Sequence, residues 1–222
     1  MNRIENYDRL AFDIDRWLKD YYYMHSIKAF VVGVSGGIDS AVVSTLCAKT
    51  ELPTYVLTMP LHSKEGNTKL SDAHAKALMK KYSNVRVVNI DLSDTYESLL
   101  FNIDQDFVNN KLANANTKSR LRMVSLYQVA GSVGGIVVGT GNKVEDYGIG
   151  FYTKYGDGGV DIAPIADLYK TEVRELGGYL GVMNEIIDAT PTDGLWDDGR
   201  SDEDQIGATY AELEEAIENG TG

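Results

Sequence analysis

Residues 29–34 read Ala-Phe-Val-Val-Gly-Val, an unbroken apolar run. A run of that length predicts a strand buried on both faces, the kind found in parallel sheets. Ser35-Gly36-Gly37 follows at once, and apolar residues at helical spacing predict a helix starting near Ile38 and reaching residue 48. Strand, glycine turn and helix together make an anion cradle. Glycines let backbone N–H groups converge, and the helix N-terminus adds partial positive charge. Ser35 and Ser40 supply hydroxyl donors for phosphate oxygens. Asp39 is the odd member, because a carboxylate repels phosphate. It fits if a hard cation such as Mg²⁺ lies between them. The same turn also suits a plain strand-to-helix connection in which Asp39 is only a helix-start acid.

The rest of the chain repeats the alternation. Residues 54–59 and 85–90 predict a second and a third strand, and 136–139 a short fourth. Helices are predicted over 4–24, 67–82, from Ser93 through Ile103 and Phe107, over 111–130 and over 167–179. A last helix follows Ser201 and Asp202, carrying Ile206, Leu213 and Ile217. Pro164 marks 162–165 as an edge strand or no strand. Tyr21, Tyr22 and Tyr23 suit packing against the sheet or a partner subunit. His62 and Ser63 follow the second strand, where a ribose or adenine site and an ordinary loop are equally compatible.

At the end of the fourth strand comes Thr140-Gly141-Asn142-Lys143-Val144-Glu145. Glu145 is a second candidate cation ligand. Carboxylates at two neighbouring strand ends suit Mg²⁺ held between protein and phosphates. The glycine-rich, aromatic loop 150–161 is too long and polar for the core, and loops of this sort carry function.

Composition narrows the classes. The chain has 222 residues, 43% hydrophobic, enough for one α/β domain spanning 1–222. Its formal charge of −12 argues against nucleic acid as a partner. No apolar run approaches the ~20 residues of a membrane span. The polar start does not look like a secretion signal, and one cysteine, Cys47, forms no internal disulfide, so a cytoplasmic setting is expected.

Ser35-Gly36-Gly37-Ile38-Asp39-Ser40 resembles the SGGxDS signature of the N-type ATP pyrophosphatases, the PP-loop family. Gly139-Thr140-Gly141-Asn142-Lys143-Val144-Glu145, the loop 151–161, Pro191-Thr192-Asp193-Gly194-Leu195-Trp196 and the segment 201–207 are similar to those of its ammonia-dependent NAD synthetases. The resemblance implies a three-layer α/β fold of the adenine nucleotide alpha hydrolase type, with an open, mostly parallel sheet and helices on both faces. It implies ATP- and Mg²⁺-dependent amidation of deamido-NAD by ammonia, giving NAD, AMP and pyrophosphate through an acyl-adenylate, in a homodimer.

By the same resemblance, Gly33, Val34, Ser35, Gly36, Gly37, Ile38, Asp39 and Ser40 bind ATP, with Thr140, Lys170 and Thr192. Asp39 and Glu145 hold the metal. Arg120, Phe151, Lys154 and Asp161 bind deamido-NAD. No residue serves as a covalent nucleophile. Two departures stand out. Relatives continue into a basic tail with a His-Lys pair, and this sequence shows none. The loop after the second strand matches weakly, so no adenine contact is assigned there. Another PP-loop chemistry, or a non-catalytic nucleotide-binding homologue, is the alternative.

Overall fold

The computed structural model describes residues 3–62, 65–192 and 201–220, with the side chains of 65–67 outside that description. In chain order the elements are α1 (Tyr7–Met24), β1 (Phe30–Gly33), α2 (Ile38–Lys49), β2 (Thr54–Thr58), α3 (Glu65–Lys81), β3 (Val85–Asn89), α4 (Ser93–Phe101), α5 (Lys111–Val133), β4 (Ile136–Val137), α6 (Lys170–Leu180), α7 (Asn184–Ile187), α8 (Asp202–Ile206) and α9 (Tyr210–Asn219). A 3₁₀ turn covers Gln105–Phe107 and a π-helical turn Lys143–Ile149.

The four strands pair in the order β3-β2-β1-β4, all parallel. Side chains alternate across the pleat. Phe30 and Val32 point into a core with α1, α2 and α6, while Val31 and Val137 face α5 on the other side. Phe30, Val31 and Val32 are fully buried, each adding roughly 1.5–3 kcal/mol. Helices cover both faces, so the expected three layers are present.

α2 is apolar nearly all round because the sheet lies under it and α1 and α6 lie over it. It packs tightly on α6 at Gly177, where a Cβ would sit 2.7 Å from Ile38 Cδ1. The strand order has one further consequence. Chain direction across the sheet reverses between β1 and β4, and such a switch point opens a crevice at the carboxyl ends of the strands.

Several boundaries differ from the sequence reading. α1 starts at Tyr7 rather than Ile4, because Asn6 caps it by accepting the Arg9 N–H at 2.8 Å. α4 ends at Phe101, where Asp104 turns the chain by accepting the Asp106 N–H. Ile103 and Phe107 therefore fall beyond the helix predicted to carry them, and both are exposed. α6 starts at Lys170 rather than Asp167, since Glu172 folds back to accept the Tyr169 N–H at 2.9 Å. Residues 162–165 give only an isolated bridge, Val138 to Ile162. The last predicted helix is two, α8 and α9, broken at Gly207, whose φ is +82°. Of the three tyrosines, Tyr22 packs on Phe30 with ring centroids 5.6 Å apart, and Tyr23 is exposed.

Candidate active site

The switch point opens into a cleft of about 510 Å³, within the range of small-molecule sites. Its floor is the turn between β1 and α2. Gly37 is the N-cap of α2 and offers no side chain, so first-turn N–H groups are left for an anion. The loop is held by its own hydroxyls. Ser40 Oγ accepts the Ser35 N–H at 3.2 Å and donates to the Gly37 carbonyl at 3.0 Å, while Ser35 Oγ accepts the Gly37 N–H at 3.2 Å. Gly36, at φ +94°, makes the turn that a side chain would strain.

Opposite this floor, the chain leaving β4 enters the π-helical turn, a distortion common at functional sites. Asn142, fully buried, caps it by accepting the Val144 and Glu145 N–H groups at 3.0 and 3.1 Å. Its amide donates to Asp39 Oδ1 at 3.2 Å. Gly141 has no space for a Cβ, which would fall 1.9 Å from Asp146 Oδ2.

Asp39 and Glu145 meet at Lys170, the first residue of α6. Lys170 Nζ donates to Asp39 Oδ2 at 2.5 Å and to Glu145 Oε1 at 2.8 Å, with the lysine 3% exposed. Burial disfavours the ammonium, yet the two carboxylates hold the Lys170 pKa above its ordinary value. Burial lifts the Asp39 carboxyl above the usual range, and Lys170 offsets this only in part. Burial acts on Glu145 as well, but Lys170 and the Tyr210 hydroxyl outweigh it and hold that carboxyl below its ordinary value.

This arrangement tests the fit of a divalent ion. Two hard oxygen donors converge on one point, and an ammonium already stands there as a cation. Mg²⁺ binds through one or two carboxylates together with substrate phosphates, so Asp39 and Glu145 fit it. Among the described residues no group of three or more His, Cys, Asp or Glu forms a cage.

The cleft gathers Gly33, Val34, Ser35, Gly36, Gly37, Ile38, Asp39, Ser40, Thr140, Glu145, Phe151, Lys170 and Thr192. Arg120, Lys154 and Asp161 do not line the cleft and are exposed; Arg120 lies on α5, and Lys154 and Asp161 on the loop 150–161. Arg120 Nε donates to the Lys154 carbonyl at 3.0 Å. Asp161 accepts the Val137 N–H at 2.7 Å and the Tyr127 hydroxyl at 3.1 Å. These residues flank a second, shallow groove lined by Val124, Tyr127 and Tyr155. The loop 150–161 joins the two regions, pinned by Asp157, which accepts from Ser119 Oγ at 2.6 Å. His62 is exposed and pairs with Glu97 at 3.3 Å. Ser63 and residues 193–200, with Trp196, lie outside the described residues.

Three cleft-side residues escaped the sequence reading. Asn142 had a readable signal, an amide directly before a helical stretch. Arg122, whose Nε donates to the Met59 carbonyl at 3.2 Å, lies in the run Lys118-Ser119-Arg120-Leu121-Arg122, where nothing local marks one charge as facing the cleft. Tyr210 had no local signal. It reaches Glu145 Oε1 at 2.5 Å from a helix 65 residues away.

A family model described as NAD synthase matches residues 10–220. An NH(3)-dependent NAD(+) synthetase of Finegoldia magna is 37% identical over 217 residues, covering 97% of this chain and 86% of that one. One from Mycoplasmopsis pulmonis is 42% identical, covering 89% and 74%. Among solved structures, an NMN synthetase from Francisella tularensis superposes with a TM-score of 0.89 at 34% identity, covering 99% of this chain and 88% of that one. An NH3-dependent NAD synthetase from Campylobacter jejuni superposes at 0.78 with 24% identity, covering 98% and 85%, a likeness of fold. With the family pattern spanning nearly the whole sequence, the chain belongs to the NAD synthase family, ligases that form a carbon–nitrogen bond.

Proposed function

We propose that the chain, acting as one domain over 1–222, amidates the nicotinate carboxylate of deamido-NAD with ammonia at the expense of ATP. The carboxylate attacks the α-phosphorus of ATP and pyrophosphate leaves, giving an acyl-adenylate. Ammonia then attacks the acyl carbon, a proton is lost, and AMP leaves with the bonding electrons. The observation that carries this reading is the meeting of Asp39, Glu145 and Lys170 over the open start of α2.

The amides of 35–40 hold the phosphates, with Thr140, Lys170 and Thr192 along the cleft wall. Asp39 and Glu145 hold Mg²⁺, which neutralises phosphate charge and polarises the α-phosphoryl group when bound. Both substrates are anionic, so positioning and charge neutralisation supply most of the acceleration. Phe151 offers a ring in the cleft for the nicotinate, and Arg120, Lys154 and Asp161 hold the nucleotide part beyond it. The groove on α5, with Val124 and Tyr127 exposed, supports pairing with a second copy of the chain. No helix among the described residues is long and apolar enough to cross a membrane. On the lone cysteine, Cys47, buried and free, we place the reaction in the cytoplasm.

A second reading keeps the chemistry and shortens the acid. An NMN synthetase is among the solved structures this chain resembles, at 34% identity over 99% of its length, which brings in nicotinate mononucleotide as the acid. The test is purified protein with ATP, Mg²⁺, ammonium and either acid. Amide product with stoichiometric AMP and pyrophosphate supports the mechanism, and release of ADP overturns it. The ratio of kcat/KM for the two acids decides between the readings.

A further inference from the structure

We propose that Tyr210 is a positioning residue whose hydroxyl fixes the Glu145 carboxylate for cation binding, so that α9 governs the affinity of the Asp39–Glu145 pair. This rests on the cation reading given above. The ring and the hydroxyl of Tyr210 do different things. The ring packs against Val144 and Tyr169 and lies 5.1 Å from Lys170 Nζ, which needs no oxygen. The hydroxyl reaches 2.5 Å from Glu145 Oε1 and 3.4 Å from Asp202 Oδ2, so its single proton goes to Glu145. Tyr210 and Lys170 thus place two donors on one carboxylate oxygen, which restricts rotation of the Glu145 head. Partners of this kind orient a ligating carboxylate before the metal arrives, and removing one typically costs 10–100-fold in metal affinity or activity.

α9 is itself anchored at the same place. The Tyr210 N–H donates to Glu203 Oε1 at 2.8 Å. One turn on, buried Glu214 accepts the Thr171 N–H at 3.0 Å and the Thr171 hydroxyl at 2.7 Å, in the first turn of α6 beside Lys170. α9 therefore touches the acid of the site through Tyr210 and, through Glu214, the residue that follows its base.

The experiment is Tyr210→Phe, which keeps the ring and removes only the oxygen. Mn²⁺ is titrated with and without an ATP analogue carrying a methylene α,β bridge, and free Mn²⁺ is read by EPR. Circular dichroism and the unfolding midpoint check the fold. Mn²⁺ affinity is expected to fall about tenfold. The KM for Mg-ATP should rise while the KM for the nicotinate-bearing acid is unchanged. In a Glu145→Gln background, Tyr210→Phe should change nothing further. Wild-type Mn²⁺ affinity in Tyr210→Phe, or an equal loss with and without Glu145, overturns the proposal while the cation reading survives. Wild-type protein that binds no Mn²⁺ under either condition overturns both.

Discussion

Asn142 donates its side-chain amide to Asp39 across 103 residues of sequence, at 3.2 Å. Its other atom, Oδ1, accepts the N–H of Glu145 at 3.1 Å. One amide therefore joins the carboxylate after β1 to the turn after β4. The donor and the acceptor sit on different atoms of one planar group, which an amide offers and a carboxylate does not. Asn142→Asp keeps the cap but sets a carboxylate against Asp39. Turnover should fall by at least a hundredfold, and the unfolding midpoint should fall too, because a second buried carboxylate then faces Asp39. Asn142→Ala should instead lose the cap and roughly 1 kcal/mol of stability. Urea unfolding and steady-state kinetics on both variants separate the two effects.

Lys170→Met removes the ammonium that Asp39 and Glu145 share. Breaking a buried pair from one side leaves charge without compensation and costs roughly 3–5 kcal/mol. The variant should therefore unfold at lower urea. Mn²⁺ can substitute for the missing charge, so the rise in unfolding temperature on adding Mn²⁺ should be larger in Lys170→Met than in the wild type. An equal rise in both would mean that the ammonium and the metal do not compete for one place.

His74 sits buried between α3 and α2, its Nε2 3.0 Å from Ser44 Oγ. Burial pushes its pKa down to about 4 from 6.5. The native state thus keeps the ring neutral where the unfolded chain binds a proton. Stability is full above about pH 6.5 and is lost as pH falls from 6.5 toward 4, by up to roughly 3 kcal/mol. In His74→Gln the part of the unfolding-midpoint slope between pH 6.5 and 5 that belongs to this ring should disappear.

A Cβ at Gly156 would lie 2.2 Å from Ser119 Oγ, the group that holds Asp157 at 2.6 Å. Gly156→Ala should push the loop 150–161 off α5. The expected result is a KM for the nicotinate-bearing acid raised about tenfold or more, with the KM for ATP nearly unchanged. Initial rates with each substrate varied in turn check it.

The layer order and the start of α2 were readable because their signals are contiguous. An apolar run, a glycine turn and helical spacing lie within residues 29–48. Glu145 was readable from its place at a strand end. The grouping of Arg120, Lys154 and Asp161 away from the cleft was not, because sequence fixes which loop carries a side chain but not the side of α5 it occupies. The occupation of the Asp39–Glu145 gap by Lys170 was equally hidden. The resemblance places Lys170 against ATP, and only side-chain geometry reveals that it pairs with both carboxylates. Helix ends erred where a side chain folded back on its own backbone, as Glu172 does on Tyr169.

All four strands run the same way, so the segments following β1 and β4 emerge along one rim. The floor of the cleft belongs to the turn after β1, while the loop that spans toward the α5 groove follows β4. Under the role proposed for the loop 150–161, recognition of the acid can be rewritten by editing that one segment, with the interior left alone, and a dinucleotide exchanged for a mononucleotide without rebuilding the machinery that activates it.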